Sequence, residues 1–358
     1  MYTKRIQALQ TKLTDLKVDA ILIENRFNLL YLSGFDGLED DGRLLVTTDN
    51  ATLITDARYE EDLHERLEKG IDVAITRDYM KIITSVVVKQ QIHTLGFEDN
   101  LKYSDYVKLT HLPEVTLTAT SQVVDILRAA KGPEEIEATT KAIELSSQGF
   151  KYLLTQIHPG MTEIQVVNKL DIWMKDHGST GASFDTIVAS GPRAAMPHGD
   201  ATTKVLKTGE MITIDFGYYF DGYTSDITRT ISLGEPDPRL KQIYEIVKEA
   251  QQKVIDAIKP GVGGKALDKI GRDFITEQGY GKEFNHGIGH GIGLDIHEYP
   301  QSYGAMPEYK VSQNEILTVE PGIYVANLGG IRIEDDVLVT KDGCQRLSDI
   351  TRDLIILN

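Results

Sequence analysis

One stretch of this chain occurs twice in outline, and that duplication constrains the fold more than any other feature. The first copy runs Ile212-Thr-Ile-Asp-Phe-Gly-Tyr-Tyr-Phe-Asp-Gly-Tyr-Thr-Ser-Asp-Ile-Thr-Arg-Thr230. By itself it reads as a β-hairpin, because both arms alternate apolar and polar residues and Asp221-Gly222 suits a two-residue turn. With those two residues as the loop, Asp215 opposes Thr228 and lies diagonal to Asp226, so the two carboxylates share one face of the pleat. Carboxylates held that close repel unless a proton or a cation sits between them. The plainer reading of the hairpin alone is a polar face washed by solvent.

The second copy changes the balance. Gly209-Glu-Met-Ile-Thr-Ile-Asp-Phe-Gly217 matches Asn314-Glu-Ile-Leu-Thr-Val-Glu-Pro-Gly322 and sets Asp215 against Glu320. Gly222-Tyr-Thr-Ser-Asp-Ile227 matches Gly330-Ile-Arg-Ile-Glu-Asp335 and sets Asp226 against Glu334. Upstream, Ile157-His-Pro-Gly160 recurs as Ile258-Lys-Pro-Gly261, and the helices that follow end alike at His177-Gly178 and Gln278-Gly279. Two related halves are expected to pack about a pseudo-two-fold axis, which brings all four acids together. Buried carboxylates in that number require cations.

A chain of 358 residues is expected to form two domains. The seam falls near Asp125–Pro133, giving an α/β domain with a mixed sheet over residues 1–125 and an α+β domain over 126–358. Ile6, Leu9, Leu13 and Leu16 fall at helical spacing and open the first domain with a helix. Strands are expected at Ala20–Ile23, Leu44–Thr47, Ala51–Thr55, Asp72–Ile75, Thr94–Phe97 and Val115–Thr120. Helices are expected near Tyr59–Glu68, Met80–Lys89 and Ser104–Leu109, with Asn25–Gly34 as a polar-then-aromatic connection. No glycine-rich loop follows a strand there, so no nucleotide site is indicated. In the second domain Pro133 suits a helix start, and Thr162 with Gln165 forms a capping box. The net charge of −16, without a basic patch, argues against nucleic acid and anionic membranes as partners. One cysteine, Cys344, excludes a disulfide framework. The first residues lead into an amphipathic helix rather than a signal peptide, no apolar run is long enough to span a bilayer, and a cytoplasmic protein is expected.

The densest histidine cluster is His286-Gly-Ile-Gly-His-Gly-Ile-Gly-Leu-Asp-Ile-His-Glu298. A lone histidine is usually a satisfied structural group, but His286, His290 and His297 are separated by glycines that let backbone approach a ligand closely. Gln301 stands where the helical zinc-protease motif needs its second histidine, so that motif is excluded. The segment resembles the signature of the proline-specific metallopeptidases, aminopeptidase P and prolidase, within the wider family of methionine aminopeptidase and creatinase. Asp215-Phe-Gly217, Ser225–Thr230, Thr318–Tyr324 and Ile331–Asp335 are similar to its other blocks. Asn28–Gly34 and Asp56–Tyr59 resemble its first domain, so the resemblance spans essentially the whole chain.

That resemblance implies a "pita-bread" catalytic domain with pseudo-two-fold symmetry. It also implies two divalent ions held by Asp215, Asp226, His290, Glu320 and Glu334. Oxygen-rich ligation with one imidazole suits Mn²⁺, with Co²⁺, Fe²⁺ or Zn²⁺ as alternatives. Glu320 resembles the family's general base and proton shuttle. His297 is expected to stabilise the oxyanion, His198 to contact the substrate amide, and His286 to line the proline pocket. Arg332 is expected either to orient a ligand carboxylate or grip substrate, or to form an ion pair behind the ligands. Arg229 is expected to be structural, Asp335 and Asp336 ordinary polar positions, and His158 and His177 exposed or capping groups.

The resulting expectation is an Xaa-Pro aminopeptidase, with an Xaa-Pro dipeptidase as the alternative. The segment after Glu298 contains no arginine before Lys310, which leans toward the aminopeptidase because a dipeptidase must hold the product-side carboxylate. A non-catalytic peptide-binding module on the same fold is the alternative from another class, and its sign would be lost ligands. Methionine aminopeptidase fits less well, given the extra first domain and the His286 block. A homodimer is expected by resemblance.

Overall fold

Ile6, Leu9 and Leu13 are buried along one side of helix Tyr2–Leu16, as their spacing predicts. The structure, a computed structural model, describes every residue except Leu67 and Lys69, and the side chain of Arg66. The chain divides into two units, Met1–Arg128 and Ala129–Asn358.

The first unit is built on a six-stranded mixed sheet in the spatial order Asp72–Ile75, Ala51–Thr55, Gly42–Thr47, Ala20–Ile23, Thr94–Glu98, Thr116–Thr120. Gly42–Thr47 runs antiparallel to both of its neighbours, and the other pairings are parallel. Helices Glu60–Arg66, Tyr79–Gln90 and Tyr103–Leu109 lie close to the expected positions. Leu67, inside the expected helix near Tyr59–Glu68, lies outside the described residues. Residues 25–34 are a correction. They form a helix, Arg26–Ser33, capped by the Asn25 side chain on the Phe27 and Asn28 amides and closed by Gly34 at φ +77°. Both punctuation residues were present in the sequence, but the helix is short and its apolar period is hard to read. The expected seam likewise contains a helix, Val123–Ala129.

In the second unit the duplication is visible in the backbone. Helices Pro133–Leu154 and Glu163–Asp176 pack on strands Ile187–Ser190, Met211–Phe216 and Ile227–Leu233 through Ile143, Phe150, Leu170, Ile214 and Ile231. Helices Pro238–Ala257 and Gly264–Glu277 pack on Ile316–Val319 and Asp335–Val339 through Val247, Leu267, Leu317 and Val337. Matched turns make matched bonds. The Gly160 amide donates to the Leu206 carbonyl and the Gly261 amide to Val311. Gly209 and Asn314, both at positive φ, donate to Leu233 and Val339 in turn.

The hairpin register is the expected one. Thr228 pairs with Asp215, and Phe220 bridges Tyr223 around Asp221 and Gly222, whose φ values are +53° and +81°. Between these points the hairpin opens, because Tyr218–Tyr219 pairs instead with Gly181–Ala182 and the Asp226 amide donates to Asp336 Oδ2 at 3.0 Å. The ladders also shift one repeat match. Val319 pairs with Asp335 in the second half, so Glu334 corresponds to Thr228 rather than to Asp226. Residues at these equivalent positions touch. The Glu334 amide donates to the Thr228 carbonyl, and Arg229 pairs with Asp335 at 2.6 Å with both side chains fully buried. The pseudo-two-fold axis therefore passes between these strands.

The solvent-washed reading of the hairpin's polar face is overturned. Every residue of strands Met211–Phe216 and Ile227–Leu233 is buried. Thr213 and Thr230 donate their hydroxyls to the Gly330 and Arg332 carbonyls, so the polar faces of the two halves meet each other.

Gly264 opens the last long helix in direct contact with backbone. A Cβ there would meet the Tyr303 carbonyl oxygen at 2.2 Å. Gly264→Ala is therefore expected to lower stability by about 2 kcal/mol in chemical denaturation, although alanine favours helix elsewhere. A variant as stable as the parent would show that this contact yields freely.

Candidate metal centre and active site

All nine residues singled out as ligands or catalytic groups line one cavity of about 350 Å³. They reach it from different elements. Asp215 comes from strand Met211–Phe216, Asp226 from the opened hairpin, and His198 from the loop after Ile187–Ser190. His286, His290 and His297 lie on the irregular segment between Gly264–Glu277 and Ile316–Val319. Glu320 follows that last strand, and Arg332 and Glu334 flank the start of Asp335–Val339. Phe184, Ile187, Pro197 and Ile296 supply apolar wall.

At the centre, ligand atoms of Asp226, His290 and Glu334 lie within 4.8 Å of one another, all on buried residues. His290 Nε2 is 3.4 Å from Asp226 Oδ2 and 3.7 Å from Glu320 Oε1. Its Nδ1 lies 3.1 Å from the Gly291 carbonyl, which makes Nδ1 the donor and leaves the Nε2 lone pair facing the acids. Gly289 lets this segment lie against strand Ile316–Val319. A Cβ there would meet the Thr318 carbonyl oxygen at 2.1 Å, and the His290 amide donates to Thr318 Oγ1 at 3.1 Å.

This donor set fits divalent cations. Asp215 Oδ1 is buried without a hydrogen-bond partner, and a lone pair and several carboxylate oxygens converge on one point. The electrostatics agree. Burial, and then the neighbouring Asp215, push Asp226 well above the ordinary carboxylate range. Glu334 is driven up likewise by burial and by Asp226, Glu320 and Asp215. Burial also raises Glu320, against the opposing pull of His290 and Arg332. These upward shifts favour protons on the cluster, and a bound ion would compete with them.

The remaining groups surround this centre. His286 Nε2 lies 2.9 Å from Tyr324 Oη, and its Nδ1 is 3.7 Å from Glu320 Oε2. Burial, with Arg332 nearby, pushes His286 down to about 4. The His297 ring stands 4.3 Å from that of His290, and desolvation in the cleft, with His290 and His198, pushes it down to about 4. Both imidazoles are therefore neutral near pH 7. Arg332 is buried with its donors engaged: Nη2 to Asp215 Oδ2 at 2.6 Å, Nη1 to Tyr324 Oη at 2.7 Å and the Pro197 carbonyl at 3.2 Å, and Nε to Thr228 Oγ1 at 3.1 Å. Of its two expected roles, this geometry is the ion pair behind the ligands. His158 and His177 are exposed at helix ends and bond nearby carbonyls.

Asp335 and Asp336 are not ordinary polar positions. Both are fully buried, Asp335 in the pair with Arg229 and Asp336 beneath the Asp226 amide. Burial pushes Asp336 up to about 8. Their sequence signal was the unbroken run Glu334-Asp-Asp336 inside a strand, where a solvent-facing acid would alternate with apolar residues. Tyr324, the link between His286 and Arg332, gave no such signal. Nor did Lys131 and Glu298, a buried pair at 2.8 Å.

Comparison with known proteins agrees with this geometry. The family described as Metallopeptidase family M24 matches residues 137–341, and the Creatinase/Prolidase N-terminal domain matches residues 5–130. The Xaa-Pro dipeptidase of Pyrococcus horikoshii is 37% identical over 94% of this chain and 95% of its own length. The solved structure of an Xaa-Pro dipeptidase from Bacillus anthracis is 39% identical, covers 100% of both chains and has a TM-score of 0.95. The X-Pro aminopeptidase structure from Thermotoga maritima is 36% identical, covers 95% of this chain and 98% of that one, and has a TM-score of 0.86. Two halves about a pseudo-two-fold axis, a converging acidic centre and these matches make the chain a member of metallopeptidase family M24, with a creatinase/prolidase N-terminal domain followed in sequence by the pita-bread catalytic fold.

Proposed function

We propose that this chain is a dinuclear metal-dependent Xaa-Pro dipeptidase, cytoplasmic and homodimeric, with Mn²⁺ as its working ion. The observation that carries the metal-dependent reading is the convergence of Asp226, His290 and Glu334 on one buried point, with Asp215 and Glu320 on the same cavity wall. The expectation of an aminopeptidase gives way to its alternative, because several relatives that match nearly the whole chain are named dipeptidases or prolidases. The lean rested on the segment after Glu298. Only Gln301 and Ser302 of that segment line the cavity, so its lack of arginine says little about how a product carboxylate is held. The Thermotoga maritima relative keeps the aminopeptidase as the second reading.

Asp215, Asp226, His290, Glu320 and Glu334 would hold the ions, and one imidazole among oxygens suits Mn²⁺. Ions held there would supply Lewis-acid chemistry, polarising the scissile carbonyl and lowering the pKa of the attacking water. The chain's own groups divide the rest. Glu320, between His286 and His290, takes the proton of the attacking water and delivers it to the departing proline nitrogen. His297 turns a neutral N–H donor toward the developing oxyanion, and His198 meets the substrate amide. His286, tied to Tyr324, lines the proline side. Arg332 steadies Asp215 and the Pro197 carbonyl.

With Mn²⁺ supplied, Ala-Pro is expected to show a kcat/KM roughly ten-fold above that of Ala-Pro-Ala, enough to separate the readings. The reverse order identifies an aminopeptidase, and no turnover of either with metal bound favours the non-catalytic module. Glu320→Gln is expected to lower kcat by roughly 10³-fold in the same assay.

Metal removal should also show in stability. Carboxyls raised on folding bind protons that the unfolded chain has released, so the metal-free protein loses stability as pH rises. The thermal midpoint of chelated protein is expected to fall between about pH 5.5 and about pH 8, with Mn²⁺ restoring more at the higher pH. A midpoint indifferent to Mn²⁺ across that range would remove the metal centre.

A further inference from the structure

The loop that carries His198 leaves strand Ile187–Ser190 and returns at Thr202, and both of its ends are fastened to one carboxylate. Glu163, the first residue of helix Glu163–Asp176, has a fully buried side chain. Its Oε1 accepts from the Ser190 amide at 2.9 Å and from Ser190 Oγ at 2.8 Å. Its Oε2 accepts from the Thr202 amide at 3.0 Å, from Thr202 Oγ1 at 2.7 Å and from Arg193 Nη1. Arg193 Nη2 continues to the Asp200 carbonyl at 2.7 Å. The amides of Glu163 and Ile164 donate to the Lys204 and Thr202 carbonyls, which binds the helix start to the loop's far end. Burial works against charge on Glu163, yet these donors outweigh it and hold the carboxyl below its ordinary range. Between the fastened ends, the Pro197 carbonyl accepts from Arg332, and Pro197 and His198 line the cavity.

The duplication supplies a control. The Gly160 and Gly261 turns correspond, so the counterpart of Glu163 three residues on is Gly264, which has no side chain. The architecture is thus built once with this carboxylate and once without it. The second half carries His286, His290 and His297 into the cavity on an irregular segment without such a carboxylate, so the bracing by Glu163 belongs to the His198 loop.

We propose that Glu163 is a positioning residue for the reaction, fixing the Ser190–Thr202 loop so that His198 meets the substrate amide. This rests on the Xaa-Pro hydrolase reading for its catalytic consequence, but not for the bracing itself.

The test pairs a double-mutant cycle with hydrogen exchange on the full chain. With Mn²⁺ and Ala-Pro, Glu163→Gln is expected to lower kcat/KM about 30-fold, mainly through kcat. In a His198→Ala background the same change is expected to cost less than about three-fold, because its effect passes through His198. In metal-free protein without substrate, amides of residues 190–202 are expected to exchange about ten-fold faster in Glu163→Gln, while those of Met211–Phe216 do not change. Equal losses in both backgrounds, or unchanged loop exchange, overturn the proposal. Exchange needs no turnover, so it decides the bracing even if Xaa-Pro peptides are not cleaved. Should Glu163→Gln not fold, Thr202→Val removes one hydroxyl donor from the same carboxylate. It is expected to give about a five-fold loss in the same cycle and faster loop exchange.

Discussion

Mutual repulsion among buried acids is the constraint on which the rest of this structure depends. Asp215, Asp226, Glu320 and Glu334 converge with an imidazole lone pair in a cavity between two sheets. Such a cluster is tolerable only with protons or cations among the oxygens. The surroundings limit the repulsion in part: Arg332 lies against Asp215, Thr228 donates to Glu334 at 2.6 Å, and the Asp336 carboxylate is drawn away beneath a backbone amide. The helices outside keep water from the sheets, which makes the centre both costly when empty and strong when filled.

Rigid and adjustable parts are separated around that centre. Asp215 and the Glu334 region sit on or beside strands in which every residue but Leu338 is buried. The histidines that would face substrate lie on irregular backbone. His286 is steadied by Tyr324, and the His297 ring packs 4.3 Å from that of His290. Precision in such a site comes from these supports as much as from the groups they hold.

Much of this was legible in the sequence, because the duplication and the glycine-spaced histidines are local patterns. The hairpin register could be read from a two-residue turn, and the alternation told which residues share a face. What alternation could not tell was that the polar face is dry, since that depends on what packs across it. For the same reason Asp335 and Asp336 looked ordinary while their partners, Arg229 and the Asp226 amide, lie far away in sequence. The two-residue displacement between Asp226 and Glu334 escaped notice because residue similarity follows chemistry, whereas ladders follow hydrogen bonds. The helix over residues 26–33 was missed because it is short and its apolar period is weak.

The ion pair at the pseudo-two-fold axis has a consequence for how the halves associate. Arg229 and Asp335 occupy equivalent places in the two halves and bind each other without water. Two copies of the first half, associated in the same way, would press guanidinium on guanidinium; two copies of the second would press carboxylate on carboxylate. Neither half can serve as its own mate, and the two form an obligate couple held in one polypeptide.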